Sequence, residues 1–421
     1  MATVTDPTRT PFAGPSLDEI EAARAIVSRV AQPTPMESSR YLTDVLGAPV
    51  LLKCENLQRT GSYKIRGAYN RLSKLTEEER ARGVVAASAG NHAQGVAFAA
   101  RELGIHATIF MPVGVAIPKF QATRAYGADV VLSGSIVDET LRAAADFATE
   151  TGAVFIPPFD HPDVVAGQGT LGLEILEEAP EVTTIVVPIG GGGLISGVAS
   201  AVKQRAAREG RTVRVIGVQA ANAAAYPPSL AAGEPVDISL VTTIADGIAV
   251  SRPGALNFEI IREAVDEVVT VSEDDLARAL LVLLERAKLV VEPAGAAGVA
   301  AILSGAVTAP EDGTLVAILS GGNIDPLLMQ RVIGDGLAAA DRYLKLSIML
   351  PDRPGQLARI AEILAGVNAN VVEVLHTRHG RGMQLSQVEL NVSVETRGTE
   401  HRQHVIQALR AAGYDPVLED D

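Results

Sequence analysis

Ile185-Val186-Val187-Pro188-Ile189-Gly190-Gly191-Gly192-Gly193-Leu194 is an apolar run that ends in four glycines and leads into the helical pattern Leu194–Glu209. An apolar run without alternation reads as a strand covered on both faces, and strands of that kind belong to parallel sheets. The same rhythm recurs on either side. Val84–Ala87 precedes the helical Ala93–Leu103, Ala107–Phe110 precedes Lys119–Tyr126, Val130–Leu132 precedes Val137–Glu150, and Val213–Val218 follows the glycine unit. Ser16-Leu17-Asp18-Glu19 has the form of a capping box, and Ile20, Ala23, Ile26, Val27 and Val30 share one face of the helix it would open. The predicted class is α/β with parallel sheets, which bind ligands beyond the carboxyl ends of their strands.

Two glycine-bearing loops sit at such strand ends: Ser88-Ala89-Gly90-Asn91-His92 and Gly190–Gly193. Backbone N–H groups without side chains around them can close on an anion, and the helix that follows adds its partial positive charge. A nucleotide P-loop would end in Gly-Lys-Ser/Thr, where this chain has Leu194-Ile195-Ser196. A dinucleotide fingerprint fits loosely, but the next strand ends in Gln219 instead of an acid. We read Gly190–Gly193 as a phosphate cradle; the other reading is a flexible turn. With Lys64 in Ser62-Tyr63-Lys64-Ile65-Arg66-Gly67-Ala68, the set suits an enzyme that holds an aldehyde cofactor covalently.

Composition narrows the field. A net charge of -14 over 421 residues excludes a general polyanion binder, and 4% aromatics with no Trp weakens base stacking, so no nucleic-acid partner is expected. The single cysteine, Cys54, leaves no intrachain disulfide, suits the cytoplasm, and follows the apolar Val50-Leu51-Leu52 as a packing residue would. No signal peptide or membrane span is expected, the polar Met1–Ser16 segment lacking the layout of the first. No metal is expected: His92, His106 and His161 lack a shared short spacing, and Gln219–Ala225 carries no carboxylate for a hard cation.

Ser62–Ala68, Ser88–Gly95, Gly190–Leu194 and Ser320-Gly321-Gly322-Asn323, in this order and spacing, resemble the threonine/serine dehydratase branch of the fold type II pyridoxal-phosphate enzymes. The resemblance covers about residues 15–340. It implies a tryptophan synthase β-like, two-domain catalytic unit over 1–340, with a large subdomain of about 1–74 and 156–340 and a small one of about 75–155. The implied cofactor is pyridoxal 5′-phosphate, with Lys64 as Schiff-base lysine and general base. Tyr63 would lie against the ring, Asn91 would contact the 3′-oxygen, Gly190, Gly191, Gly192, Gly193 and Leu194 would bind the phosphate, Gly247 would line the ring, and Ser320 would face its nitrogen. Ser88, Ala89, Gly90, Asn91 and His92 would take the substrate carboxylate. The implied reaction is β-elimination and deamination of L-threonine to 2-oxobutanoate and ammonia. L-serine dehydration and serine racemisation are the alternatives, and an amino-acid sensor without turnover is the non-enzymatic one. Racemising relatives carry a second serine where this chain has Ala89, which has no proton to donate.

From Leu344 the rhythm turns to period two, with Leu344, Leu346, Ile348 and Leu350 alternating with Lys345, Ser347 and Met349. A short helix Gln356–Ala365, strands Asn370–Leu375 and Gln384–Val394, a helix Glu400–Ala412 and a last strand Tyr414–Leu418 complete a ferredoxin-like βαββαβ module over 344–421. It resembles an ACT regulatory domain. That implies pairing of copies into a dimer or tetramer and an amino-acid effector near Asp352, Pro354, Gly355, Gln356 and Leu357.

Overall fold

The computed structural model describes residues 12–339, 341–378 and 386–418. In chain order its strands are β1 (Met36–Ser38), β2 (Val50–Lys53), β3 (Val84–Ala87), β4 (Ala107–Met111), β5 (Asp129–Leu132), β6 (Val154–Phe155), β7 (Val182–Pro188), β8 (Arg214–Ala220), β9 (Glu267–Val271), β10 (Thr314–Ile318), β11 (Tyr343–Pro351), β12 (Asn370–Thr377), β13 (Gln387–Glu395) and β14 (Pro416–Leu418). The chain divides into two compact units, Met1–Pro326 and Leu327–Asp421.

The first unit holds two sheets. One has the order β1-β2-β10-β7-β8-β9, parallel except for the antiparallel β1; the other has the order β5-β4-β3-β6 and is parallel throughout. The continuous apolar strands are buried as their sequence requires: Ile185, Val186 and Val187 of β7 and Val85 and Ala86 of β3 are fully buried. The helix Pro293–Leu303 is buried along its whole length and packs on the larger sheet, its many Ala and Gly residues leaving little bulk between the two. The helices Pro162–Glu178 and Gly193–Arg208 pack on each other around Val165, Leu171, Ile195 and Val198. The Ser16 capping box is present, with Glu19 N–H donating to the Ser16 hydroxyl and the Glu19 carboxylate accepting from Ser16 N–H.

The first helix after β3 starts at Asn91 rather than Ala93, and the one after β4 at Ile117 rather than Lys119. In both, residues read as loop already lie inside the first turn. The sequence pattern singles out none of the strands β1, β2, β6, β9 and β10; β10 is the partner that joins β2 to β7.

In the second unit the sheet order is β12-β13-β11-β14, antiparallel throughout, with a helix on either side of the β12–β13 pair in sequence. Leu344, Leu346, Ile348 and Leu350 point inward to Ile360, Leu364, Val405 and Leu409, as the period-two pattern predicts. The start of the expected strand at Gln384 and the Met1–Pro11 segment lie outside the described residues. Strand β13 begins at Gln387 and β14 at Pro416. Among the described residues no helix is long and apolar enough to cross a membrane.

Candidate active site

Lys64 opens the helix Lys64–Ser73, and the segment before it is zipped onto the loop after β10. Tyr63 N–H donates to Ser320 O at 3.2 Å, Gly322 N–H donates to Gly61 O at 2.9 Å, and Ser62 pairs with Gly321 in an isolated bridge. Residues more than 250 positions apart in sequence are thereby held side by side. The Lys64 amine donates to Pro158 O at 3.0 Å and lies 5.3 Å from the centre of the Tyr63 ring.

The segment Pro158-Phe159-Asp160 connects this lysine to the glycine loop. The Phe159 ring fills the space where a side chain on Gly191 would stand, and its Cβ lies 2.9 Å from where a Cβ on Gly193 would be. Asp160 accepts from the backbone N–H groups of Ala255 and Leu256, both at 3.0 Å, which caps the helix Ala255–Ala264. Gly192 takes φ 101°, a left-handed conformation that glycine adopts without cost, and caps the helix Gly193–Arg208. The Gly191 carbonyl is turned away into hydrogen bonds from Tyr226 Oη at 3.1 Å and Gly254 N–H at 3.3 Å. With that carbonyl withdrawn, the unpaired first N–H groups of the helix are the polar groups left to meet an anion. A Cβ on Gly190 would lie 3.0 Å from Ile248 Cα and 3.5 Å from Gly247 O, so the Asp246–Ile248 turn sits directly against the cradle.

Asn91 begins the helix Asn91–Leu103 at the carboxyl end of β3. Its Nδ2 donates to Glu292 Oε1 at 2.6 Å, and its Oδ1 accepts from Asn323 Nδ2 at 2.8 Å. Ser88, Ala89 and Gly90 are half-buried just before it, with Gly90 N–H donating to the Ser88 hydroxyl at 3.1 Å. Ser320 is buried at 4% exposure. The structure thus brings Tyr63, Lys64, Asn91, Gly247 and Ser320 into one neighbourhood, tied through Pro158 and Phe159 to Gly190–Leu194. The His92 side chain is the exception. It is buried, its Nε2 bonds Ile156 O at 2.9 Å, and burial pushes it down to about 3, so it is a neutral packing group and only its backbone belongs to the loop.

Burial lowers the Lys64 amine to about 8, against the opposing pull of Glu292. Burial, helped by Asp246, lifts the Glu292 carboxyl to about 7, against Lys119, Asn91 and Lys64. Burial works against the charge of Lys119, but its 2.8 Å ion pair with Asp246 outweighs that and holds it above the usual lysine range. Sequence reasoning missed Glu292, Lys119, Asp246 and Phe159. Only Glu292 left a signal: one acid between Val290-Val291 and the Ala/Gly-rich Pro293–Leu303, a place where charge is costly unless it is paired. Cys54 is buried and its thiol is pushed up to about 12 by burial, which leaves it inert.

The set fits a phosphorylated aldehyde: an amine with a lowered pKa, a carboxamide beside it, a buried hydroxyl, and a glycine cradle whose carbonyl is withdrawn. The family described as pyridoxal-phosphate dependent enzyme matches residues 27–321, and the ACT domain matches residues 345–413. The chain is 49% identical over 381 residues to an L-threonine ammonia-lyase of Geobacter sulfurreducens, covering 90% of this chain and 94% of that protein. It is 46% identical over 401 residues to an L-threonine ammonia-lyase of Thermotoga maritima, covering 95% and 98%. The solved structure of maize serine racemase superposes with a TM-score of 0.72 at 35% identity, covering 78% of this chain and 99% of that one.

Proposed function

The chain belongs to the pyridoxal-phosphate dependent enzymes, with an ACT domain after the catalytic unit, and on that premise we propose that it eliminates and deaminates L-threonine to 2-oxobutanoate and ammonia. The observation that carries this reading is the convergence of the Lys64 amine, the Asn91 carboxamide and the Gly190–Gly193 cradle around Pro158 and Phe159. When bound, the cofactor supplies the electron sink that acidifies the Cα–H of an amino acid joined to it. Lys64 would hold the cofactor, and its Nζ, when free, would take the Cα proton. An amine whose pKa is near 8 is partly neutral at neutral pH, as a general base must be. Gly190–Leu194 would bind the phosphate, Tyr63 and Gly247 would border the ring, and Ser320 would offer its nitrogen a hydroxyl. A neutral partner there favours loss of a β-substituent over a long-lived carbanion. Ser88, Ala89, Gly90 and the backbone of Asn91 and His92 receive the substrate carboxylate at a helix start. The β-hydroxyl leaves as water, and a water returns in hydrolysis to the keto acid and ammonia.

The racemase likeness raises serine racemisation as a second reading, and Ala89 speaks against it, since it offers no proton to the opposite face of Cα. In the second unit, Asp352, Pro354, Gly355 and Leu357 are exposed at the start of the helix Gln356–Gly366, and Tyr414 Oη donates to Gln356 Oε1 at 3.3 Å. We assign the amino-acid effector to this helix start. Strand β12 is an exposed sheet edge bearing Val371, Val372, Val374 and Leu375, which supports pairing of copies into a dimer or tetramer. The cytoplasm is the compartment that suits the single inert cysteine. Keto-acid release from L-threonine and L-serine tests the substrate, and preference for serine overturns the threonine assignment. Lys64→Ala is expected to abolish turnover and the visible absorbance of the bound cofactor; a variant that keeps both refutes the role of Lys64.

A further inference from the structure

Glu292 is a buried acid for which the reaction above has no use. It is 4% exposed and stands at the N-cap position of the helix Pro293–Leu303, its carboxylate making no capping bond there. Its backbone is tied on both sides, N–H donating to Gly321 O at 3.0 Å and its carbonyl accepting from Ala296 N–H at 3.1 Å. Its Oε1 accepts from Asn91 Nδ2 at 2.6 Å, while Asn91 Oδ1 accepts from Asn323 Nδ2 at 2.8 Å, and Asn323 Nδ2 also donates to Thr60 O at 2.7 Å. A carboxylate only accepts and an amide NH2 only donates, so these two partners leave the Asn91 carboxamide a single orientation. One Nδ2 hydrogen goes to Glu292 and the other is left for a ligand. Gly321 admits the pair: a Cβ there would overlap Glu292 Oε1 and stand 3.0 Å from Asn91 Nδ2. The charged and titratable groups around Glu292 are Lys64 and Tyr63 from the lysine segment, Lys119 from the helix Ile117–Ala125 and Asp246 from the turn beside the cradle.

We propose that Glu292 is a positioning residue: as a carboxylate it locks the Asn91 carboxamide with one hydrogen presented to the cofactor oxygen, and its protonation weakens that lock. This rests on the reading that the site holds pyridoxal phosphate with Asn91 at its 3′-oxygen. Because burial and Asp246 lift the carboxyl to about 7, the strength of the lock changes within the neutral range, weakening as pH falls. A protonated acid has lost the charge that strengthens the Asn91 hydrogen bond.

Glu292→Gln keeps the shape and one acceptor but cannot titrate. On the holoenzyme, the visible absorbance of the cofactor and the kcat and KM for L-threonine are measured across the neutral range. Wild type is expected to show a transition near pH 7 in both absorbance and kcat. In Glu292→Gln that transition disappears and kcat falls about tenfold with little change in KM, the size expected when a charge-assisted hydrogen bond becomes a neutral one. On an Asn91→Ala background the same change adds no further loss. Should Glu292→Gln not fold, Glu292→Asp keeps the titration and must shift the absorbance transition. An unaltered transition and kcat in Glu292→Gln, an independent loss on the Asn91→Ala background, or an unmoved transition in Glu292→Asp overturns the proposal. A wild-type protein that takes up no cofactor or releases no keto acid refutes the underlying reading instead.

Discussion

Arg66, two residues after Lys64, is fully buried. It donates from Nε and Nη2 to Glu55 at 2.8 and 2.9 Å and from Nη1 and Nη2 to Glu174 at 2.6 and 2.8 Å. Lys53 completes the cluster, reaching Glu178 at 2.8 Å and Thr34 O at 2.9 Å. With every guanidinium edge used, the cluster fastens the lysine helix to the helix Pro162–Glu178. Arg66→Met leaves the fully buried Glu55 without its guanidinium partner, while the part-exposed Glu174 keeps Lys53 at 3.5 Å, and is expected to cost about 3–5 kcal/mol, read as a lowered denaturation midpoint of the catalytic unit. His92 gives a pH effect with a definite sign. Its folded-state pKa of about 3 lies below the usual 6.5, so its stabilisation is present above about pH 6.5 and is lost as pH falls towards 3. Thermal melting is expected to drop through that window, and His92→Gln to flatten the drop. Neither role was legible in the sequence. Arg66 read as part of a motif and His92 as part of a loop, and the partners that define them, Glu174 and Ile156, lie 108 and 64 positions away.

At the scale of elements, the glycine cradle and Phe159 form one unit. Gly191→Ala puts a methyl into the Phe159 ring, and we expect cofactor affinity to fall more than tenfold, measured by titrating the apoprotein. Adding Phe159→Ala makes room for the methyl and is expected to restore part of that affinity; no recovery would show that Phe159 does not set the size of the loop. The strand–glycine–helix unit was readable because the apolar run, the glycines and the helical period are all local. Phe159 was not, because it lies at the end of an irregular Pro157-Pro158 segment and its packing is set by a loop more than 30 residues on. Helix starts also shifted by two residues after β3 and β4, since Asn91 and Ile117 begin their helices without a side-chain cap to mark them.

At the scale of the molecule, the catalytic and ACT parts differ in sequence rhythm, and each folds around its own core. If the effector site is at Gly355–Leu357, removing residues after Asp341 is expected to leave turnover of L-threonine and abolish its response to amino acids such as isoleucine and valine. A response that survives the deletion places the effector site in the catalytic unit. The sequence by itself determined the parallel α/β layers and the alternating sheet of the tail, and it pointed to the lysine and the glycine turn, because buried strands, glycine turns and period-two faces are written in adjacent residues. Only the tertiary structure decided that Glu292 lies against Asn91, 201 positions away, that Phe159 packs against the glycines of the cradle, and that Lys119 reaches Asp246. Those contacts arise where separate loops meet at the ends of the strands, and it is burial there, not local sequence, that shifts the protonation of Lys64 and Glu292 towards neutral pH.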